Sequence, residues 1–281
     1  MELDGISVTA LSDGEAHVPP DALLNKPASA WARHAELLDD DGDLHVNFGG
    51  FLVRTPQRTI VVDCGIGAGA KPETGIGRFR DNLRAAGVVP PDVTDVIFTH
   101  LHFDHVGWAT DGRRVLFDGA THWCHALDWA YFCGEDPAVE DGPGMDDFGA
   151  IPAPQRLAPL AGRMMLIDGG ATEIAPGVEV RHAPGHTPGH CIVVLGTGTQ
   201  RAALLADAAH SPVELLEDDW ASPTDVDPAL AQRTRARLAR WLVDTGTPAT
   251  MTHDGGNRFG RVVAGAGGAR RWETLAVGEP A

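Results

Sequence analysis

The sequence has no long apolar run. No stretch of the 281 residues approaches the roughly 18 consecutive apolar residues that indicate a membrane-spanning helix. The first residues, MELDGISVTALSDGEAH, contain neither the basic segment nor the apolar segment of a secretory signal peptide. We therefore expect no membrane partner and a cytoplasmic location.

Cysteine is scarce. The four cysteines form no CxxC pair and are too few for a disulfide framework in a chain of this length. We expect them to be reduced thiols with a packing role, at Cys64, Cys124, Cys133 and Cys191.

Basic residues are too few to balance the acidic ones. The chain has 22 Lys and Arg against 39 Asp and Glu, a net charge of −17, and no run of Lys or Arg offsets it. Because this charge repels phosphate backbones, we expect no nucleic-acid partner.

Two widespread catalytic motifs are missing. The chain has no GxSxG elbow, and no GxGxxG stands where a strand passes into a helix. These absences disfavour covalent serine catalysis and dinucleotide redox chemistry. The 43% hydrophobic composition is enough for a sizeable core, and we expect a single domain over residues 1–281.

Histidine is abundant at one place, the stretch DVIFTHLHFDHVGW from Asp95 to Trp108. The residues Val96–Phe98 read as a buried strand, so the polar residues after it lie on the loop at the strand's carboxyl end, where α/β folds place their chemistry. Neutral imidazoles and an ionised carboxylate are typical zinc ligands. The alternation of His100 and His102 lets both rings face one point, while Asp104 and His105 face a second.

Short apolar runs divide the chain into two strand-rich halves. The first half predicts a turn at Asp13-Gly14, helices at about 77–86 and 125–132, and strands at 6–11, 48–53, 59–62, 96–98 and 121–124. The second half predicts a mainly antiparallel sheet from the runs 164–167, 172–174, 178–181, 191–195 and 202–205. A helix opens at Asp227-Pro228 and closes at Gly246, and a last strand, 250–252, leads to His253. This order predicts an α/β fold with two mixed sheets face to face and helices outside.

Two segments interrupt this pattern. Residues 17–47 contain three prolines, a helical pattern from about Ala28 to Leu38 and the acidic run 39–43, and we interpret them as an insertion or flap. Residues 134–154 are rich in Gly, Pro and Asp, which predicts an irregular loop.

Three later residues complete a candidate ligand set. His186 lies in the turn APGHTPGH, Asp207 follows the apolar run 202–206, and His253 follows the last strand. We predict a first site of His100, His102, His186 and Asp207, and a second of Asp104, His105, His253 and Asp207, with Asp207 bridging both.

The pattern HxHxDH followed by a distant His, Asp and His resembles the metallo-β-lactamase superfamily over nearly the whole chain. THLHFDHVGW, APGHTPGH, ADAAHSP and the late TH are similar to the quorum-quenching lactonase and methyl parathion hydrolase branch. The resemblance implies an αββα sandwich with a dinuclear zinc centre at one edge. It also implies that Asp63, in VVDCGIG, orients the metal loop from behind the ligands.

One residue departs from the better-known lactonases, which carry a tyrosine three residues after the bridging aspartate. His210 occupies that position here, and Tyr131, the only tyrosine, is far away in sequence. We interpret His210 as a donor that contacts substrate. His190, the last residue of APGHTPGH, is interpreted as a hydrogen-bonded support residue and not as a ligand.

These residues predict a hydrolase that uses two metal ions. Two ions about 3.5–4 Å apart can hold a hydroxide at neutral pH and polarise a carbonyl or phosphoryl oxygen. By analogy, Asp104 relays a proton to the leaving group. We expect zinc, with Mn²⁺, Fe²⁺ or Co²⁺ open, and a small lactone or ester as substrate, as in N-acyl homoserine lactonases. Organophosphate hydrolysis, a glyoxalase II-like thioesterase activity and a non-catalytic metal-binding role are the alternatives, and a homodimer stays open.

Overall fold

A computed structural model describes residues 1–67, 74–111, 113–138 and 148–276 of the chain. Two seven-stranded sheets form its centre, each with its strands in chain order. The first sheet consists of β1 (Glu2–Leu3), β2 (Ile6–Val18), β3 (Leu44–Arg54), β4 (Thr59–Val62), β5 (Asp95–Ile97), β6 (Thr121–His125) and β7 (Met164–Ile167). The second consists of β8 (Ala171–Ala175), β9 (Val178–His182), β10 (Cys191–Thr197), β11 (Gln200–Leu204), β12 (Ala249–Thr250), β13 (Gly260–Ala264) and β14 (Arg270–Thr274).

Both sheets are mixed. The first is antiparallel from β1 to β4 and parallel from β4 to β7. The second is antiparallel except where β11 pairs in parallel with β12. The second sheet is therefore mainly antiparallel, as its short apolar runs predict.

The sheets pack face to face. Ile60 and Val62 point into the layer between them and meet Val193 and Leu204 of the other sheet. Val61, between those two residues, points to the opposite side, because side chains alternate across a strand. The strand is buried on both faces, which is why it reads as an unbroken apolar run.

Helices cover the outer faces of the sheets. Three helices, α2 (Phe79–Ala85), α4 (Ala126–Cys133) and α5 (Ala153–Leu157), place side chains in the core cluster outside the first sheet. The long helix α7 (Pro228–Thr245) packs on the second sheet through residues such as Ala239 and Leu242. Short helices lie in the loops, at α1 (Pro20–Leu23), α3 (Phe103–Val106) and α6 (Val213–Leu216). The αββα sandwich expected from the sequence is confirmed.

The ends of α7 follow from local sequence. The side chain of Asp227 accepts a hydrogen bond from the backbone of Leu230 at 2.9 Å, and Pro228 occupies the first turn. Gly246 ends the helix in the left-handed conformation at φ +64°, which glycine adopts without strain.

Three predicted elements are wrong. Asp13-Gly14 is not a turn, because β2 continues to Val18 through an irregularity in register between Ser12 and Gly14. The residues Ala28–Leu38 do not form an α-helix but two short 3-10 segments, Ala28–Arg33 and Ala35–Leu37. The residues Met164–Ile167 belong to the first sheet, where they pair in parallel with β6.

The proposed flap is shorter at both ends than 17–47. Residues 17 and 18 lie in β2 and residues 44–47 in β3, so the excursion runs from 19 to 43. Trp31 of this excursion is buried against Trp220, with ring centroids 4.7 Å apart. The excursion therefore packs on the loop that follows α6.

Residues 139–147, within the proposed irregular loop 134–154, lie outside the described residues. No helix of the described ranges is both long and apolar enough to cross a membrane. The cytoplasmic location stays a prediction.

Candidate metal centre

The predicted ligands converge at one edge of the sandwich, from loops of both sheets. The loop after β5 brings four of them, and α3 begins inside that loop at Phe103. His186 follows β9, Asp207 lies in a 3-10 turn after β11, and His253 follows β12. The structure therefore brings together all seven residues, His100, His102, Asp104, His105, His186, Asp207 and His253.

Three imidazoles form one side of the cluster. Nδ1 of His102 lies 3.0 Å from Nε2 of His100 and 3.0 Å from Nε2 of His186. Burial, together with the neighbouring histidines, lowers the pKa of His100 and of His186 well below its usual value. Burial likewise lowers the pKa of His102 to about 4. Neutral rings with converging lone pairs are what a metal ion requires.

The other side consists of Asp104, His105 and His253. Nε2 of His105 lies 3.9 Å from Oδ1 of Asp104, and Nε2 of His253 lies 3.5 Å from its Oδ2. These three residues offer ligand atoms close enough to share one ion.

Asp207 lies between the two sides. Its Oδ2 is 3.1 Å from Nε2 of His253 and 3.5 Å from Nε2 of His186, and its Oδ1 is 3.3 Å from Nε2 of His105. Although burial opposes it, His253 and His105 hold the pKa of this carboxyl well below its usual range. The position suits a carboxylate that serves both sites.

The contact between His105 and Asp207 tests whether a metal fits. Nδ1 of His105 lies 2.9 Å from Oδ2 of Asp63 and can donate its proton there, so Nε2 is the ring nitrogen that faces the cluster. Nε2 then faces Oδ1 of Asp207, and neither buried atom has a hydrogen-bond partner among the described residues. Against the effect of burial, the carboxylates of Asp207, Asp63 and Asp104 raise the pKa of His105 well above its usual value. The carboxylates thus favour a positive charge beside Nε2 of His105. A divalent metal bound there would supply that charge in place of the proton on the ring, so the residues present fit a metal.

Asp63 supports both sides of the cluster from behind. Beside its contact with His105, it accepts hydrogen bonds from the backbone and hydroxyl of Thr99, at 2.8 and 2.7 Å. The Thr99 hydroxyl lies 3.1 Å from Nδ1 of His100 and can accept its proton. Asp63 adopts φ +57° and Ala206, beside Asp207, φ +47°. Such strained backbone concentrates at functional sites.

His190 does not point a free nitrogen at the cluster. Its Nδ1 lies 3.2 Å from the carbonyl of Ala183, and its Nε2 accepts a hydrogen bond from the backbone N–H of Asp207 at 3.2 Å. The ring is buried, and burial lowers its pKa well below the usual value. These contacts are those of a residue that fixes the backbone of the predicted bridging aspartate.

His210 faces the cluster through Nε2, which is 3.4 Å from Oδ2 of Asp207. It forms a group with His186 and Asp207 whose ligand atoms are mutually close, so this position suits a metal ligand as well as a substrate donor. Despite burial, Glu214 and Asp207 raise the pKa of His210 to about 10. Trp108 packs in the core and donates its indole N–H to Asp13 at 2.8 Å, which favours a structural role.

Several carboxylates and one backbone carbonyl behind the candidate ligands were not predicted from the sequence. Asp128 of α4 accepts hydrogen bonds from the backbone of Leu101 at 3.2 Å and Gly189 at 2.5 Å, and from the hydroxyl of Thr187 at 2.8 Å. It thereby joins the two loops that carry His100 and His186, and burial raises its pKa to about 7. The backbone carbonyl of Asn47 lies 2.9 Å from Nδ1 of His253. Glu214 lies 3.3 Å from Nδ1 of His210. Asp225 likewise lies 3.3 Å from Nδ1 of His186.

Comparison with known proteins identifies related chains. Two are N-acyl homoserine lactonases: one from Bacillus sp is 25% identical over 190 residues, 60% of this chain and 66% of that protein. The other, AiiA from Bacillus thuringiensis subsp. kurstaki, is 26% identical over 207 residues, 67% of this chain and 73% of that protein. The chain thus spans about two thirds of the length of the first of these relatives.

Solved structures show the same fold. AidC, described as a dizinc quorum-quenching lactonase in complex with a product, superimposes with a TM-score of 0.82. The superposition covers 98% of this chain and 96% of AidC at 22% sequence identity. At this sequence identity the structural similarity shows only that the fold is the same.

The model of the metallo-beta-lactamase superfamily matches residues 50–241, more than half of the chain. The match includes the loop after β5, His186 and Asp207, and it ends before His253. With the sandwich and the converging ligand groups at its edge, this match shows that the chain belongs to the metallo-beta-lactamase superfamily.

Proposed function

We propose that this protein is a dinuclear-metal hydrolase that opens lactones or cleaves carboxylic esters. The observation that carries the proposal is the convergence of two ligand groups on Asp207, one with His186 and one with His253. The similarity to N-acyl homoserine lactonases supports the lactone class. Zinc is the proposed metal, because the ligands are imidazoles and carboxylates.

Two divalent ions at this site would supply a reactive water-derived nucleophile at neutral pH and polarise the bond under attack. His100, His102 and His186 would hold the first ion, and Asp104, His105 and His253 the second, with Asp207 shared. Asp63 and Asn47 keep Nε2 of His105 and His253 directed at the centre, because each accepts the proton on Nδ1.

We propose that two of the chain's own side chains act on the substrate. His210 directs Nε2 at the centre from a turn whose backbone is held by Glu214, and we propose that it donates a hydrogen bond to the oxygen that gains charge. Asp104 is partly exposed, which gives it access to both the centre and the substrate. We propose that it passes a proton to the leaving oxygen.

The surroundings favour a substrate with an apolar part. Phe48 packs on His253 with ring centroids 5.6 Å apart and on Phe148 at 5.1 Å. Phe103, beside Asp104, and Trp31 of the excursion belong to the same apolar cluster. We propose that the half-buried members of this cluster, Phe103 and Phe148, receive an acyl chain while the polar end of the substrate meets the metals.

A substrate panel on the metal-loaded protein tests the proposal. The panel contains an N-acyl homoserine lactone, an aryl carboxylic ester, a phosphotriester, a thioester and a β-lactam, with the metal-depleted protein as control. We expect the largest kcat/KM for the lactone or the carboxylic ester. Faster cleavage of the phosphotriester or thioester would replace the proposed substrate class, and two bound ions with no hydrolysis would indicate a non-catalytic protein.

A further inference from the structure

Behind the metal centre, one buried arginine lies between two buried carboxylates. Arg235 of α7 is 2% exposed, and its Nη2 lies 2.7 Å from Oδ2 of Asp225. Its Nη1 lies 3.4 Å from Oδ1 of Asp225 and 3.3 Å from Oε1 of Glu214. A planar guanidinium can hold two carboxylates in fixed directions, which the point charge of a lysine cannot do.

Each carboxylate continues to a histidine of the centre. Oδ1 of Asp225 lies 3.3 Å from Nδ1 of His186. Oε2 of Glu214 lies 3.3 Å from Nδ1 of His210 and accepts the backbone N–H of the same residue at 2.6 Å. Nε2 of both rings then faces Oδ2 of Asp207, at 3.5 and 3.4 Å.

We infer that Arg235 is a positioning residue that aligns His186 and His210 together, through Asp225 and Glu214. The inference rests on the proposed function, since it assigns His186 to the first ion and His210 to the substrate. Replacing a buried ion network with apolar residues is often neutral for stability. The hydrogen bonds of Arg235 to Asp225 and its ion pair with Glu214 instead hold each carboxylate against Nδ1 of a ring. They thereby fix which nitrogen of each ring carries the proton and where the other nitrogen points.

The network reaches only part of the centre. His105 is oriented by Asp63 and His253 by the carbonyl of Asn47, and neither contact involves Arg235. A defect at Arg235 should therefore weaken the first ion and leave the second nearly unchanged. A variant that is only less stable overall would not weaken one ion and leave the other unchanged.

The test compares Arg235→Lys and Arg235→Met with the parent protein by competition between each metal-free protein and a chelator for Zn²⁺. We expect the affinity of one of the two ions to fall about 10- to 100-fold, as loss of a partner behind a ligand typically produces. The affinity of the second ion should stay within about threefold. With Co²⁺ in place of Zn²⁺, the electronic spectrum should change for one site only.

Arg156→Lys is the matched control, because Arg156 is equally buried but donates to the backbone carbonyl of Thr110 and not to a carboxylate that contacts a histidine of the centre. We expect it to alter the melting temperature and neither metal affinity. Equal weakening of both ions in the Arg235 variants, or no weakening of either, would overturn the inference.

Two milder variants keep the test valid if the Arg235 variants do not fold. Asp225→Asn should weaken one ion, whereas Glu214→Gln should lower turnover with both ions bound. Equal effects of the two variants on metal binding would contradict the separate roles of Asp225, behind His186, and Glu214, behind His210. Because metal binding is measured without substrate, a wrong substrate class and a wrong role for Arg235 give different results.

Discussion

At the scale of single residues, Asp207 and His190 are neighbours with different predicted roles. Asp207 directs both carboxylate oxygens at histidines of the centre, whereas His190 uses both ring nitrogens on backbone groups. We expect Asp207→Asn to lower metal content and hydrolysis together, because it removes a charge that compensates two dications. His190→Ala should lower the free energy of unfolding by about 1–3 kcal/mol, the cost of leaving buried polar groups unpaired, with metal content unchanged.

Elemental analysis and denaturant unfolding of both variants measure this contrast. The parent protein carried through the same chelator-free preparation is the control. Equal metal loss in the two variants would make His190 part of the ligand set.

His210 gives a second prediction at this scale. His210→Ala should lower kcat by up to about 10²–10³-fold while both ions stay bound, since loss of one donor to a developing oxyanion costs about that much. Steady-state kinetics and metal analysis on the same preparation measure the two effects. A destabilised variant with unchanged kcat would instead show that His210 serves only the turn before Ser211, and loss of an ion would make it a ligand.

The seven candidate ligands could be predicted from the sequence because four of them share one short motif and the others follow apolar runs. The residues that contact the candidate ligands from behind could not be predicted in this way. Asp225 lies 39 positions from His186, and Arg235 lies 10 positions from Asp225, so only the folded chain shows that they touch. Glu214 follows His210 by four positions; it lies in α6, whereas His210 lies in the turn before that helix.

At the scale of elements, local sequence signals predict α7, the clearest helix. They fail where pairing with a distant strand decides the length of a strand or the sheet to which it belongs. The proline at the start and the glycine at the end bound α7 from sequence alone. The length of β2 depends on β3, which pairs with it from Ser7 to Val18 and carries the strand past the Asp13-Gly14 pair. The run Met164–Ile167 has the composition of any short strand, and only its partner β6 assigns it to the first sheet.

The end of α7 supports a prediction of stability. Gly246 has φ +64°, and a Cβ at this position would meet no atom within 4 Å, so Gly246→Ala changes only the backbone preference. We expect a loss of about 1–2 kcal/mol, the cost of a left-handed residue that is not glycine, measured by urea unfolding. Gly162→Ala is the control, because that site is equally open and has no left-handed φ. A loss as large in the control would show that the conformation at Gly246 is not the cause.

At the scale of the whole molecule, the centre joins the two sheets. The first sheet supplies the loop with His100 to His105, and the second supplies His186, Asp207 and His253. Bound ions would therefore hold the two halves of the sandwich together at one edge. The lack of a sequence signal for this cross-sheet contact explains why Asn47 of β3, which contacts His253, was not predicted.

Metal removal should consequently lower stability as well as activity. We expect chelation to abolish hydrolysis and lower the melting temperature, because a ligand present at 100 times its Kd stabilises the native state by about 2.7 kcal/mol. Calorimetry with and without chelator, followed by addition of Zn²⁺, measures both effects. Hydrolysis that persists in a protein shown to be free of metal would end the dinuclear proposal.

The division of the centre between the two sheets also sets the order in which a growing chain can acquire its ions. His100, His102 and His105 are synthesised before His253, and at about 5–20 residues per second the interval lasts roughly 7–30 seconds. Until Asp207 is synthesised the early histidines have no bridging carboxylate, and until His253 is synthesised the second group lacks one of its proposed ligands. The complete candidate centre can thus assemble only after synthesis has passed His253, so the proposed second ion would be bound late in the synthesis of the chain.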